Sequence, residues 1–193
     1  MSLAPRFFTA FVLLLLAACA QQPRLESPPR PARESIVSYT LEGRISVRRG
    51  DNARQAGLTW QHNADRDEIE LSGPLGQKAA RLSRDAGGAR LETASRETVS
   101  AADWSSLAER VLGVALPLDN LAHWAMATVD AEAGRNAQRD PMGRPLHVWA
   151  DGWQIDYRAY ETESPDALPT LIELQRDNID VRLKIDAWQI DHE

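Results

Sequence analysis

Cysteine is nearly absent from these 193 residues, Cys19 being the only one. Without a second thiol no disulfide can form within the chain, and no thiolate cluster can hold a structural zinc. Phenylalanine is missing after residue 11, since Phe7, Phe8 and Phe11 are the only three. Histidine is sparse, at positions 62, 123, 147 and 192. That scatter has no His-x-x-x-His or comparable spacing, so neither a metal nor any other cofactor is expected. Basic excess is also lacking: 22 Lys and Arg stand against 28 Asp and Glu, a net charge of −6. This argues against nucleic acid and against electrostatic adhesion to anionic lipid. No apolar run reaches the roughly 20 residues that span a bilayer. What remains, 43% hydrophobic and 26% charged residues, is ordinary globular composition with room for one domain.

The N-terminus stands apart. One Arg precedes an apolar run over residues 7–17, interrupted only by Thr9, that ends in Leu16-Ala17-Ala18-Cys19. A basic start, a short apolar run and small residues describe a secretory signal peptide over residues 1–18. A lone Cys in a secreted chain stays free, pairs between chains or is modified. Leu-Ala-Ala-Cys resembles the lipobox of bacterial lipoproteins, which implies cleavage before Cys19 and acylation of its thiol and new N-terminus. Three acyl chains would anchor the chain permanently where one would not. Ala20 rather than Asp follows Cys19, which by the same resemblance implies the outer membrane. Loss of residues 1–18 leaves 21 basic and 28 acidic residues, a net charge of −7. Residues 20–34 hold four of the eleven prolines and no hydrophobic period, the composition of a semi-rigid spacer. The expected organisation is a signal at 1–18, an acylated tether at 19–34 and one folded domain at 35–193.

From Ile36 the pattern alternates, with Val37, Tyr39, Leu41, Gly43, Ile45 and Val47 on one face and Ser38, Thr40, Glu42, Arg44, Ser46 and Arg48 on the other. Period two over a dozen residues marks a long half-buried strand. Gly50-Asp51-Asn52 supplies a turn, and Ala56, Leu58 and Trp60 mark the inner face of a second strand. Shorter alternating runs follow at 68–71, 77–83, 89–93, 98–99, 146–149, 153–161 and 170–175, and a last long one spans 179–190. About ten or eleven strands joined by tight turns predict an antiparallel sheet curled into a barrel or sandwich. Only one stretch changes period. Ser100-Ala-Ala-Asp103 has the form of a capping box, and Trp104, Leu107, Ala108, Val111 and Leu112 recur at helical spacing. A second short helix is expected from Pro117, with Leu118, Leu121, Ala122 and Ala125 on one side. Two amphipathic helices must lay their apolar faces on the sheet, as a lid over an unclosed barrel.

Catalytic chemistry is hard to find. Asp65-Arg66-Asp67-Glu68 lacks the glycine and distal glutamate of a calcium loop and is expected to be a solvated turn. Ser105, Ser106 and Asp103 near His123 are the only faint hydrolase candidates, and serines at a helix start usually cap it. The aromatic inventory is more informative. Trp60, Trp104, Trp124, Trp149, Trp153 and Trp188, with Tyr39, Tyr157 and Tyr160, either fill an ordinary core or rim an apolar cavity for acyl chains. Gly73-Pro74-Leu75-Gly76 puts Leu75 at a hairpin tip, either folded back on the sheet or exposed for contact.

Taken in order, these stretches resemble the LolB family of outer-membrane lipoproteins. They are the lipobox, Leu41-Glu-Gly-Arg-Ile-Ser-Val47, Trp60, Gly73-Pro-Leu-Gly-Gln77 with Ala80-Arg-Leu82, and Leu112-Gly-Val-Ala-Leu-Pro-Leu118 with Leu121 and Trp124. They continue through Asp151-Gly-Trp-Gln-Ile-Asp-Tyr157 with Tyr160, Leu168-Pro169, Val181-Arg-Leu-Lys-Ile185 and Trp188. The resemblance implies a mainly β, unclosed antiparallel barrel with an α-helical lid. It implies a periplasm-facing, outer-membrane acceptor, monomeric and not an enzyme, that takes lipoproteins from a LolA-type carrier and inserts them. Trp60, Trp104, Leu107, Val111, Leu118, Leu121, Trp124, Trp149 and Tyr157 become candidates for the acyl-chain site, and Pro74, Leu75 and Gly76 for a membrane-insertion loop. The sequence departs at Ala125-Met126-Ala127, where a glycine is more frequent. A passive outer-membrane lipoprotein scaffolding another envelope complex is the alternative, and it would need no cavity.

Overall fold

The computed structural model describes residues 31–112, 118–129 and 136–191, so Cys19 and the signal lie outside the described residues. Eleven strands form one sheet: β1 Tyr39–Arg49, β2 Asn52–His62, β3 Asp67–Ser72, β4 Lys78–Asp85, β5 Gly88–Thr93, β6 Thr98–Ala101, β7 Gln138–Arg139, β8 Pro145–Ala150, β9 Trp153–Tyr160, β10 Pro169–Arg176 and β11 Ile179–Ile190. Their order is β6-β5-β4-β3-β2-β1-β11-β10-β9-β8-β7, antiparallel throughout. The ends of that order, β6 and β7, do not pair, so the barrel is unclosed. Between them in sequence come the two helices, α1 at Trp104–Leu112 and α2 at Leu118–Ala125.

Alternation in the sequence becomes one curled face. Tyr39 and Leu41 of β1, Leu58 and Trp60 of β2, Ile155 and Tyr157 of β9 and Val181, Leu183 and Ile185 of β11 are all buried in a single apolar cluster. Trp104, Leu107 and Ala108 of α1, with Leu121, Ala122, Trp124 and Ala125 of α2, complete it. The first long strand pairs along its whole length with the last, from Tyr39 opposite Ile190 to Arg49 opposite Ile179. One bulge bends it: Glu42 faces Ala187 but Gly43 faces Ile185. A Cβ on Gly43 would sit 2.1 Å from the Lys184 carbonyl oxygen, so only glycine lets the strands approach there.

Helix α1 is capped differently from the expected box. The Ser106 amide donates to the Asp103 carboxylate at 2.7 Å, making Asp103 the cap, while Ser100 belongs to β6. Helix α2 ends in paired bonds, Ala127 N–H to the Trp124 carbonyl at 3.0 Å and Thr128 N–H to the His123 carbonyl at 3.0 Å. This is the Schellman geometry, and it holds Ala127 at φ +57°, a conformation that glycine adopts without strain. The departure at Ala125-Met126-Ala127 therefore keeps a glycine-type exit in an alanine.

Two further expectations are corrected. Asp67, assigned to a solvated turn, begins β3 and is 2% exposed. Arg33, assigned to the tether, lies in a 3₁₀ turn at Arg33–Ser35 and is 6% exposed. Packed structure thus starts before Ser35.

Candidate functional site

Strand direction sorts the connections to two ends of the sheet. The β1–β2, β3–β4, β5–β6, β8–β9 and β10–β11 turns lie at one end; the β2–β3, β4–β5 and β9–β10 turns and the start of α1 lie at the other. Leu75 is at the first end, at the apex of the β3–β4 hairpin. Gly76 N–H bonds the Gly73 carbonyl at 2.9 Å, Gly73 N–H bonds the Gln77 carbonyl at 2.9 Å, and Gly76 takes φ +77°. This is a three-residue hairpin loop whose glycine occupies the left-handed position. Pro74 presets the turn. The Leu75 side chain folds back on nothing and is 92% exposed, the most exposed large apolar residue among those described.

At the opposite end a buried carboxylate ties the lid to the sheet. Asp67 Oδ1 accepts from Trp60 Nε1 at 2.9 Å and lies 2.6 Å from His62 Nδ1. Its Oδ2 accepts from Arg84 Nε at 2.8 Å and Nη2 at 2.5 Å, and from Trp104 Nε1 at 3.4 Å. Burial pushes this carboxyl up, but the donors His62, Trp60 and Arg84 outweigh it and hold it below the usual aspartate value. The first residue of α1 is thereby fixed to β2, β3 and β4 through one side chain.

Helix α2 is fixed by its carbonyls. Tyr39 donates its hydroxyl to the Ala122 carbonyl at 3.1 Å, and Tyr157 donates to the Trp124 carbonyl at 3.0 Å. Burial dominates at both phenols and keeps them protonated, with pKa values well above the ordinary tyrosine range. Near its start, Asn120 Nδ2 donates to Asp151 Oδ2 at 2.5 Å, an exposed contact with the β8–β9 turn. Between these attachments the helices rest on the sheet through apolar side chains.

The candidates for the acyl-chain site divide accordingly. Trp60, Trp104, Leu107, Leu121, Trp124 and Tyr157 are buried where the helices meet the sheet. Val111 continues the buried stripe of α1 but is 40% exposed. Leu118 opens α2, and its side chain lies outside the described residues. Trp149 is a correction: it is 56% exposed, because β8 buries Val148 and Ala150 and turns Trp149 to the other face, edge-on to His147. Composition had counted it with the interior tryptophans. The sequence reading missed Asp67, His62 and Arg84 as a unit. His62 and Asp67, directly opposite one another where β2 and β3 meet their turn, were the available signal. Asp103 and Ser106 are engaged with one another in the helix cap rather than arranged around His123.

The family model for the outer membrane lipoprotein LolB matches residues 37–188. Among curated relatives, an outer-membrane lipoprotein LolB of Azoarcus sp. (strain BH72) is 36% identical over 191 residues, 97% of this chain and 97% of its own length. Another from Nitrosomonas europaea is 31% identical over 198 residues, 97% of this chain and 93% of its own. Among solved structures, a LolA superfamily protein from Nitrosomonas europaea shares the fold with a TM-score of 0.53 at 9% identity, covering 84% of this chain and 91% of that one. A DUF1329 family protein from Desulfovibrio piger matches equally, with a TM-score of 0.53 at 8% identity. The chain belongs to the LolB family of outer-membrane lipoproteins, proteins of lipoprotein localisation.

Proposed function

We propose that this protein receives lipoproteins from a LolA-type periplasmic carrier, holds their acyl chains between the curled sheet and helices α1 and α2, and passes them to the inner leaflet of the outer membrane. It does so as a monomer anchored through acylated Cys19 and is a trafficking protein, not an enzyme. Support for the acyl site is the apolar seam under the two helices, fixed by few polar contacts, so that opening it breaks little hydrogen bonding. The transfer runs downhill, since an acceptor that holds the chains better by about 1.4 kcal/mol shifts the partition tenfold, and a bilayer holds them better still.

The observation that carries delivery to a membrane is Leu75, 92% exposed at a rigid tip. Burying one leucine in hydrocarbon yields roughly 1.5–3 kcal/mol, enough to orient a tethered domain and too little to hold it there. Pro74 and Gly76 serve by fixing the turn that presents it. Leu75→Glu leaves the flanking strands intact, so this variant should accept cargo from the carrier and deliver it poorly to liposomes. Equal loss of acceptance and delivery would make Leu75 something other than a membrane contact.

A further inference from the structure

The described interior has two side chains with unmatched polar atoms, and both are donors: Arg33 at Nε and Nη1, and Trp153 at Nε1. No buried side-chain acceptor there is left without a partner. Arg33 is 6% exposed and Trp153 1%. Buried donors left unmatched are costly and rare, and a buried guanidinium is the costliest of them. Arg33 lies beside the Tyr157 and Tyr160 phenols, which feel its charge. Tyr157 donates to the Trp124 carbonyl of α2, and Tyr160 donates to the Pro145 carbonyl while taking a hydrogen bond from Arg33, yet Arg33 Nε and Nη1 keep no partner. The unmatched guanidinium edge therefore sits where the C-terminal end of the lid meets β9.

An apolar interior whose unmatched side-chain atoms are all donors matches one kind of guest: hydrocarbon that carries acceptor oxygens. Ester carbonyls joining acyl chains to a glyceryl group have that chemistry. We propose that Arg33 binds the ester carbonyls at the head of the cargo's acyl chains through Nε–H and Nη1–H, fixing how deeply the chains enter. This rests on the acyl-chain reading above and adds which atoms of the lipid are recognised.

The test uses the full chain in liposomes. It is offered a peptide bearing S-(2,3-dihexanoyloxypropyl)cysteine with a photoactivatable chain end, or the dihexyl ether analogue, which keeps the hydrocarbon and lacks the carbonyls. A hydrogen bond to a charged donor corresponds to a preference of about tenfold or more. Wild type should capture the ester about tenfold better than the ether, Arg33→Met should capture both alike, and Arg33→Lys should keep part of the preference. Because Met removes an unmatched buried charge, the variant should melt no lower than wild type. An undiminished ester preference in Arg33→Met, or a marked loss of its thermal stability, would overturn the proposal. If wild type captured neither peptide, the acyl-chain reading beneath it would fall instead.

Discussion

Asp67→Asn perturbs the polar centre of the structure at one atom. The carboxylate accepts on Oδ1 from Trp60 and His62 and on Oδ2 from Arg84 and Trp104. An amide keeps one acceptor oxygen and turns an NH₂ toward the remaining donors, whichever way it faces. Its side chain is 3% exposed and that of His62 13%, so these groups cannot recover water; Arg84, at 27%, recovers some. An unsatisfied buried donor costs about 1–3 kcal/mol, and a broken buried ion pair about 3–5 kcal/mol before allowance for the partial exposure of Arg84. The expected loss is about 2–4 kcal/mol in urea unfolding followed by tryptophan fluorescence, with Trp60 and Trp104 reporting directly. Acid should bring the two proteins together. The folded pKa of Asp67 is depressed, so its contribution is present above the ordinary aspartate value of about 3.9 and is lost as pH falls through the folded value. Wild type should therefore lose its advantage over the variant below about pH 4. A difference under about 0.5 kcal/mol at pH 7, with parallel curves into acid, would refute this account of the node.

Gly43→Ala places a methyl 2.1 Å from the Lys184 carbonyl at the β1–β11 bulge, and a destabilisation above about 2 kcal/mol is expected in the same unfolding assay. Trp149→Thr should change stability by no more than about 0.5 kcal/mol and leave acyl-probe binding intact, as the exposed face of β8 requires; weakened probe binding would return Trp149 to the acyl-chain site.

Much of this fold is written in periodicity. Tyr39, Leu41, Leu58 and Trp60 alternate because a strand shows successive side chains to opposite faces, so the faces of β1 and β2 follow from spacing alone. Trp104, Leu107 and Ala108 recur at helical spacing and are buried together. Trp149 was misplaced because it was weighed as an aromatic rather than by its register with Val148 and Ala150. Asp67 and Arg33 were illegible for a different reason. Each is a charged residue in a stretch of turn-forming or proline-rich composition, and burial came from elements distant in sequence: Trp104 for Asp67, Tyr157 and Tyr160 for Arg33. Leu75 was visible as an oddity, but whether it folded back depended on the turn geometry set by Gly73, Gly76 and Gln77.

The central claim is that acyl chains lie between the sheet and the two helices. A diazirine amino acid of leucine size replaces Leu107 of α1 or Leu121 of α2, and a third protein carries it at exposed Glu109 on the outer side of α1. Each is mixed with carrier loaded with a lipoprotein and irradiated before delivery. Capture of the lipid part of the cargo at Leu107 and Leu121, and not at Glu109, is the expected result. Capture at Glu109 alone would contradict it.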